Sequence, residues 1–492
     1  MPGMDTYDAI MLLSYGGPNG PDDVLPFMRN ATRGRGIPDE RLLQVAAHYK
    51  RFGGVSPINA CNQRLIADLS AELGRRGYNI PVGWGNRNWH PFVAEGLDEL
   101  AQAGARRILV LPTSAYASYS GCRQYREDLA EAAEALREKW GDVVLGAEDS
   151  SDNPDADIIL DKVRPYYSTP GMASAQIASI RRAWEALAAR GVDTSGIRLI
   201  FVTHSIPVSM EAGSSPFPFR PSTDEAAAAS DGHVEQQGSE ASSEAGTPAT
   251  EISYVAQHHA LIGAIMPELR RVLGRADLGY DLVYCSRSGP PQARWLEPDI
   301  NDFLEEIAGD AASGAAAPSG VVVVPIGFIC DHMEVVYDLD TEAKETAARL
   351  GVPYERADTV STDPDFVSSL VDVLEERAAQ ARGETPARVT VTGTGPFHTV
   401  CPSDCCLSPA RPGHPSPAAG TTHPGVAHAP HSSGAPARAA GQPATTQEDS
   451  MSTPHPHAAH ARVTDPRDAT DVDFDEVNNK QHYALYSVFA LG

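Results

Sequence analysis

Short apolar segments alternate with longer amphipathic segments along most of this chain. Residues 107–112 and 281–285 have the composition of buried strands, whereas 124–139 and 363–382 carry apolar residues at helical spacing. Such alternation is typical of parallel sheets whose strands are joined by crossover helices. The pattern recurs after a break near residues 148–155, which predicts an α/β protein with two Rossmann-like halves, each a parallel sheet flanked by helices.

We predict the domain boundaries from this recurrence and from shifts in composition. Residues 221–250 contain six acidic residues and no lysine or arginine, and they bury too little apolar surface to offset the chain entropy of folding. The predicted units are an N-terminal half at 1–155, a C-terminal half at 156–395 with a disordered loop at 221–250, a cysteine-rich segment at 396–407, a disordered linker at 408–470 and an apolar, strand-like tail at 471–492.

The charge balance restricts the possible partners. Lysine and arginine number 39 against 65 aspartates and glutamates, a net charge of -26. Nucleic acids and anionic membranes both require a basic face, so we expect neither as a partner. No signal peptide is visible, and no apolar run reaches the roughly 20 residues of a membrane span. These features predict a cytoplasmic protein without stable membrane insertion.

Two predicted strands end in side chains that can handle protons or metal. His204 follows the apolar run 199–203, and Glu334 lies in the polar segment that follows the strand at 321–326. In open α/β sheets, ligands bind beyond the carboxyl ends of the strands. We therefore expect His204 and Glu334 to face one cleft, where they accept protons or hold a small divalent cation. The alternative is a histidine that caps a strand end by bonding to the backbone.

Three carboxylates follow one another on the predicted helix that begins near residue 333. Glu334, Asp338 and Glu342 are spaced four residues apart and lie on one helix face. One interpretation is a solvated surface, and the other is a hydrated track that passes protons or cations. Together with an imidazole, such carboxylates suit Fe²⁺ or another first-row ion.

Residues near the N-terminus suggest an anionic ligand. Tyr15 follows the first strand beside two glycines that permit a tight turn, so its phenol can point into the cleft and ligate iron. Arg29, Arg33, Arg35 and Arg51 form a locally basic region in an acidic protein. Arginine binds carboxylates in bidentate contacts, although surface ion pairs would account for the same residues.

Six motifs, taken together, resemble the ferrochelatases, the enzymes that insert Fe²⁺ into a porphyrin. The resemblance covers residues 7–382 apart from 221–250, and the motifs lie at 13–18, 33–35, 52–59, 203–207, 286–291 and 325–338. It implies two Rossmann-like domains that face a porphyrin cleft. It also implies that His204 and Glu334 form the iron-handling pair, with Asp338 and Glu342 continuing an acidic metal path.

The resemblance also implies a substrate. Family members from Gram-positive bacteria act on coproporphyrin III, so the expected reaction is insertion of Fe²⁺ into coproporphyrin III to give coproheme. Tyr15 matches the tyrosine that ligates the iron of the product. The other residues at porphyrin-contact positions are Arg33, Tyr49, Ser56 and Tyr125.

Three other functions remain open at this point. The chain could act on protoporphyrin IX, or it could be a cobalt chelatase, which shares the histidine–glutamate pair. A third interpretation is a non-catalytic carrier or sensor of haem or porphyrin. The motifs at 53–57 and 334–338 favour iron, and the presence of both His204 and Glu334 argues against a non-catalytic protein.

The cysteines suggest a cofactor. Four of the seven are scattered singly, at 61, 122, 285 and 330, whereas Cys401, Cys405 and Cys406 are clustered. In a reducing compartment such a cluster suggests metal before disulfide. Actinobacterial ferrochelatases bind a [2Fe–2S] cluster through three cysteines near this place and a fourth in the first half, which Cys122 matches. Zinc held by four thiolates, or free thiols, are the alternatives.

The C-terminal tail suggests a partner. Residues 479–489 resemble the opening strand of coproheme decarboxylase, the next enzyme of the same pathway. We interpret the tail as a truncated fusion or a gene-boundary artefact, and the resemblance also suggests coproheme decarboxylase as a partner. The alternative is an apolar tail that docks on the core.

Overall fold

The computed structural model describes residues 3–33, 36–146, 156–214, 253–287, 293–314, 316–393, 396–400 and 405–407. Four predicted features lie outside the described residues: the loop at 221–250, the linker at 408–470, the tail at 471–492 and Cys401. In the part of the chain that is described, no helix combines the length and the apolar character needed to cross a bilayer.

The first sheet has five strands in the order β2-β1-β3-β5-β4, and all of its described pairings are parallel. Leu12, at its centre, pairs with Trp84 on one side and Leu111 on the other. The strand β5 lies beyond residue 155, the predicted end of the N-terminal half, and it nevertheless belongs to this first sheet. The strands are β1 (Ala9–Ser14), β2 (Val82–Asn86), β3 (Arg107–Pro112), β4 (Val143–Leu145) and β5 (Ile158–Lys162).

The second sheet has four parallel strands in the order β7-β6-β8-β9. Its central strands are buried along most of their length, as expected for a sheet that helices cover on both faces. The predicted fold class, two parallel sheets flanked by helices, is confirmed. The strands are β6 (Ile197–His204), β7 (Asp281–Cys285), β8 (Gly320–Val324) and β9 (Tyr354–Arg356).

Helices connect these strands. Several begin at side-chain caps: Thr169 accepts a hydrogen bond from the Met172 backbone N–H, and Asp363 accepts from the N–H groups of Asp365 and Phe366. The α-helices are α1 (Val24–Ala31), α2 (Asp39–Arg51), α3 (Ile58–Arg75), α4 (Val93–Gln102), α5 (Gln124–Trp140), α6 (Pro170–Ala189), α7 (Val208–Gly213), α8 (Tyr254–Val272), α9 (Ile300–Ala312), α10 (Lys344–Arg349) and α11 (Pro364–Ala381).

Two segments are π-helices, Tyr119–Arg123 and Val335–Ala343. The helix predicted to begin near residue 333 is therefore wrong in type over residues 335–343, which have the wider π turn before α10 begins. π-helical turns are rare and occur frequently at functional sites. Both segments here carry residues with predicted roles, Cys122 in the first and Asp338 in the second.

The last helix connects the two halves. Helix α11 packs against α6 and α3, and its Glu376 carboxylate accepts two hydrogen bonds, at 2.7 and 2.9 Å, from the Arg164 guanidinium. Asp161, at the end of β5, accepts from Arg377 at 2.7 Å and from the Tyr7 hydroxyl at 2.7 Å. These buried groups join the end of the described core to the first sheet.

Candidate active site

His204 and Glu334 lie together because β6 and β8 are neighbours in the second sheet. His204 is the last residue of β6, and Glu334 lies in the segment that leaves the end of β8. The Nε2 atom of His204 is 3.6 Å from Oε1 of Glu334. Both side chains line one cleft, and each is less than one-third exposed.

The hydrogen bonds of His204 fix which ring nitrogen faces the cleft. Its Nδ1 lies 2.5 Å from the Ser205 carbonyl oxygen, so Nδ1–H donates and Nε2 is left to accept. Burial disfavours the imidazolium, but the adjacent Glu334 carboxylate outweighs it, and the net effect raises the pKa of His204. Burial alone would raise the pKa of Glu334, yet His204 overcomes this and lowers it. The pair therefore favours a cation between Nε2 and Oε1, and that cation is either a proton or a metal ion.

A second imidazole, which the sequence analysis did not assign, flanks the pair. His332 Nδ1 accepts a hydrogen bond from the Glu334 backbone N–H at 3.2 Å and lies 3.7 Å from Oε2 of Glu334. Burial lowers the pKa of His332, with a smaller effect of the same sign from His204. His332 is consequently neutral at pH 7, and Nε2 remains for another partner.

Tyrosines and a serine also line the cleft. Tyr15, Tyr49, Ser56 and Tyr125 all line it, and the cleft contains about 1240 Å³ of space, part of it open to solvent. Burial raises the pKa of Tyr49 well above its ordinary value, with further contributions from the charges of Glu334, Tyr15 and Asp338. These interactions place Tyr49 near both the acidic side and the tyrosine side of the cleft.

Arg33 does not line the cleft. Its side chain is exposed, and its Nη2 points toward Asn30 Oδ1 at 3.4 Å. The cation that does line the cleft is Arg87, which the sequence analysis missed. The Arg87 guanidinium lies 4.7 Å from the centroid of the Tyr125 ring and pairs with Asp128.

The carboxylates beyond Glu334 are not a solvated surface. Asp338 is 4 % exposed and accepts a hydrogen bond from the Ser286 hydroxyl. Burial raises the pKa of Asp338 well above its ordinary value, and the charge of Glu342 adds to this. Burial also raises the pKa of Asp299 to about 6, with a contribution from Glu342. A line of interacting acids thus runs from Glu334 through Asp338 and Glu342 toward Asp299.

The cysteines with a predicted cluster role lie partly together. Cys122, Cys405 and Cys406 are buried in one apolar cluster, and Arg123 Nη1 donates to the Cys405 carbonyl oxygen at 3.1 Å. Lys162 Nζ is 3.6 Å from Cys122 Sγ, and the Sγ atoms of Cys405 and Cys406 are 3.6 Å apart. Within the described ranges, which exclude Cys401, no group of three or more metal-ligating side chains converges on a point.

Cys61 and Cys330 are joined in a disulfide, although the sequence pattern indicated only scattered single cysteines. The two residues are separated by 269 positions, and only the tertiary fold brings them together. Cys330 lines the cleft two residues before His332.

The comparisons with known proteins identify the family of this chain. The model of the family described as Ferrochelatase matches residues 7–378. A protein named coproporphyrin III ferrochelatase from Streptomyces griseus is 44% identical over 421 residues, which cover 85% of this chain and 98% of that protein. One of the same name from Leifsonia xyli is 43% identical, covering 81% of this chain and 91% of the relative.

The chain belongs to the ferrochelatase family. It is similar, over nearly the full length of those relatives, to bacterial proteins named for coproporphyrin III. Among solved structures, SirB from Bacillus subtilis with Fe3+ matches with a TM-score of 0.38 and 9% identity, covering 77% of this chain and 98% of that chain. A similarity of that degree carries no inference about function.

Proposed function

We propose that this protein inserts Fe²⁺ into coproporphyrin III to give coproheme. The main observation in support of the proposal is the His204–Glu334 pair, whose Nε2 and Oε1 atoms are 3.6 Å apart. The pair lies in a cleft that tyrosines also line. The names of the relatives support the choice of porphyrin.

The pair accounts for the movement of protons. Metallation removes two pyrrole N–H protons while a dication enters the ring. His204 Nε2 accepts a proton in the neutral tautomer that the Ser205 carbonyl selects, and Glu334 stabilises the imidazolium that forms. A positioned general base of this kind contributes roughly 10²- to 10⁴-fold to a rate.

The line of acids accounts for the delivery of iron. Carboxylate oxygens are suitable ligands for a hydrated Fe²⁺ and replace its water. Burial raises the pKa of Asp338 and favours its protonated form, so an arriving dication displaces a proton there rather than adding to an uncompensated charge. We assign Asp338 and Glu342 to this path and Glu334 to its end.

The tyrosine side of the cleft accounts for porphyrin binding. We assign Tyr15 as the ligand of the product iron, and Tyr49, Ser56 and Tyr125 as contacts of the macrocycle, since all four line the cleft. Arg33 is exposed outside the cleft lining, so its proposed contact is with a propionate that extends toward solvent.

An anaerobic insertion assay tests the proposed reaction. Fe²⁺ or Co²⁺ is supplied with coproporphyrin III or protoporphyrin IX, and product formation is followed by absorbance. We expect the highest kcat/KM for Fe²⁺ with coproporphyrin III. Faster turnover of protoporphyrin IX or Co²⁺ would identify one of the other chelatases, and tight porphyrin binding without insertion would identify a carrier or sensor.

The histidine variants make the test specific to the pair. His204→Ala should reduce kcat at least about 100-fold. His259→Ala is the matched control, because His259 is an exposed histidine on α8 that contacts Tyr280 outside the cleft. Nearly equal rates for the two variants would refute the role of His204.

We also propose a [2Fe–2S] cluster held by Cys122, Cys401, Cys405 and Cys406. The three described thiols are buried, and the Lys162 ammonium lies 3.6 Å from Cys122 Sγ, where positive charge favours a thiolate ligand. When bound, the cluster supplies one-electron redox chemistry or a structural crosslink. Arg123 holds the backbone of the Cys405 segment next to the helix turn that carries Cys122.

The cluster is testable by colour and composition. Protein purified without oxygen should be brown and contain two irons and two sulfides per chain, whereas Cys122→Ser should lose both. Cys285→Ser is the matched control, since Cys285 is a buried cysteine at the end of β7. Colourless protein with zinc bound, or with free thiols, would overturn the assignment.

Two further proposals concern the setting of the reaction. The tail at 471–492, through its resemblance to coproheme decarboxylase, suggests that this enzyme receives the product, and we propose the cytoplasm as the site of the reaction. Co-elution of the full chain with coproheme decarboxylase in the presence of coproheme tests the first of these, and absence of a complex at micromolar concentrations contradicts it.

A further inference from the structure

We propose that Cys61 and Cys330 form a reversible thiol–disulfide switch, and that a carboxylate-bearing low-molecular-weight thiol reduces it from a second pocket. Cys61 lies on α3 in the first half, and Cys330 lies in the segment after β8 in the second half. Their disulfide is therefore a covalent link between the two halves that enclose the cleft.

The link joins two walls of the candidate active site. Cys330 lines the cleft within the same segment as His332 and Glu334, and the neighbours of Cys61 on α3, Ile58 and Asn62, line it as well. Two thiols cannot remain at bonding distance, so reduction separates the sulfurs and frees one wall from the other. The redox state of this pair consequently sets how far the segment bearing Glu334 can move.

A second, polar cavity adjoins the same disulfide from the other side. It contains about 850 Å³ of space, part of it open to solvent, and Cys61 lines it together with Arg64, Arg182, Thr359 and Ser361. Cys330 lines the cleft and Cys61 lines the second cavity, so the disulfide lies between the two. A small thiol in the second cavity reaches Cys61 without entering the cleft.

Two arginines and three carboxylates line the second cavity, and Arg64 is the charged residue among them that is nearest to Cys61 in the sequence. Arg182 pairs with Asp358 at 3.4 Å, and Asp331 pairs with Arg356 at 3.0 Å. The remaining carboxylate, Asp363, caps α11. Arg64 is exposed and has no ion-pair partner among the described residues, and it lies one helical turn from Cys61. Arg64 is thus available to bind the carboxylate of an incoming thiol.

The exchange balances as an ordinary two-step reduction. A thiolate RS⁻ attacks Cys61 Sγ, the Cys61–Cys330 bond breaks, and Cys330 leaves as a thiolate that takes up the proton lost by RSH. A second RS⁻ attacks the sulfur of the bound R group, releasing RSSR and the Cys61 thiolate. The Ser361 hydroxyl, 3.0 Å from Cys61 Sγ, can donate a hydrogen bond to that leaving thiolate. Oxidation by RSSR is the reverse.

A thiol–disulfide switch suits an enzyme whose substrate is Fe²⁺. This part of the inference rests on the proposed function. Fe²⁺ is lost to oxidation under the same conditions that close the disulfide. We expect the closed form to insert iron more slowly, since the segment bearing His332 and Glu334 is then tethered to α3.

The first test concerns the bond and its reductant. Full-length protein is treated with glutathione disulfide, and non-reducing peptide mapping should find Cys61 linked to Cys330. Reduction is then timed with 3-mercaptopropionate, 2-mercaptoethanol and cysteamine at equal thiolate concentration. The anionic thiol should react about tenfold faster than the cationic one. Arg64→Gln should abolish that preference, and the matched control Arg181→Gln, on the exposed face of α6, should keep it.

The results that would contradict the switch and the entry site of the reductant are distinct. If the two cysteines stay unlinked at every ratio of glutathione disulfide to glutathione, the switch does not exist. If the three thiols react at equal rates in the wild type, or if Arg64→Gln keeps the preference, the second cavity is not the entry site for the reductant.

The second test concerns the cleft. The affinity for coproporphyrin III, measured by fluorescence without metal, and the iron insertion rate are compared between the oxidised and reduced forms. Both should change at least about threefold in the wild type and not in Cys61→Ser. Equal values in the two wild-type forms would overturn the switch. A redox-dependent affinity without iron insertion by either form would instead refute the proposed function and leave the switch intact.

Discussion

His204 Nε2 lies 3.6 Å from Glu334 Oε1, and each residue shifts the pKa of the other in the direction that favours opposite charges. The two residues reach this distance because they follow adjacent strands, β6 and β8, at the same edge of the second sheet. The pair is the chemical centre of the cleft, and its coupling has a measurable consequence.

Glu334→Gln should move the acidic limb of the pH–rate profile to lower pH. Burial alone would lower the pKa of His204, and the Glu334 carboxylate is the largest influence that raises it, ahead of the hydrogen bond to the Ser205 carbonyl. Insertion requires neutral His204, so activity rises as pH rises through this pKa, and the variant, although slower, should have its midpoint at a lower pH than the wild type. The measurement is kcat/KM against pH. An unshifted midpoint would show that a group other than His204 controls the acidic limb of the pH–rate profile.

Asp338→Asn should weaken the use of iron without weakening the fold. Asp338 is buried, and burial raises its pKa and favours the neutral carboxyl. An amide is close to a neutral carboxyl in shape, so stability should change by less than about 1.5 kcal/mol. The KM for Fe²⁺ should rise about tenfold or more, because the amide cannot become a carboxylate when the metal arrives. Asp310→Asn, at an exposed position of α9, is the control. A raised KM for porphyrin instead of iron would contradict the metal path.

Arg87→Ala should weaken binding of coproporphyrin III about tenfold, since a charge-assisted hydrogen bond contributes about 1.5–3 kcal/mol. Arg87 lies over Tyr125 within the cleft, whereas Arg106 lies over Trp140 outside it, so Arg106→Ala is the matched control. Fluorescence titration gives both affinities. We expect a smaller loss with protoporphyrin IX, which has fewer propionates, and an equal loss would indicate a packing effect rather than recognition of carboxylates.

Stability should fall in acid because of His258. Burial lowers the pKa of His258 to about 3, whereas the unfolded chain binds this proton near pH 6.5. The unfolded state therefore gains a proton first, and stability decreases as pH falls from 6.5 toward 3, by up to about 1.4 kcal/mol per pH unit. Urea unfolding of wild type and His258→Gln at several pH values measures the slope. An equally steep slope in the variant would assign it to other groups.

Glu376→Gln should destabilise the protein by about 3–5 kcal/mol, because it leaves the buried Arg164 charge without its partner. Glu305→Gln breaks a pair with Arg349 that is more than half exposed, and it should cost less than about 1 kcal/mol. Urea denaturation of both variants gives the comparison. Similar losses would mean that the Arg164–Glu376 pair does not hold α11 to the first half.

Local pattern was sufficient for much of the fold. The predicted strands 107–112 and 281–285 coincide with β3 and β7, and the predicted helices 124–139 and 363–382, which become α5 and α11, begin and end within one residue of the observed bounds. Each has a clear apolar period or a continuous apolar run, and these are local properties of a sequence.

The local hydrophobic pattern of the sequence did not predict the elements in which close packing requires glycine. β2 and α4 were missed, and β2 contains Gly83 and Gly85, which have low strand propensity. A Cβ at Gly96 of α4 would lie 2.2 Å from the Trp84 carbonyl oxygen, and one at Gly85 would lie 3.2 Å from Val93 Cα. The close approach of α4 to β2 therefore requires Gly96 and leaves little room at Gly85, and the glycines of β2 conceal the strand. Arg87 was missed as well, because it follows β2, and its position at a strand end could not be predicted without that strand.

By itself, the sequence determined the class of fold, the family motifs and the side chains able to handle protons and iron. Only the tertiary structure decided that Glu334 lies beside His204, that Arg87 rather than Arg33 lines the cleft, and that Cys61 meets Cys330. Periodicity records which face of each element is buried, whereas the order of strands and the packing of one half on the other depend on contacts between residues far apart in the chain.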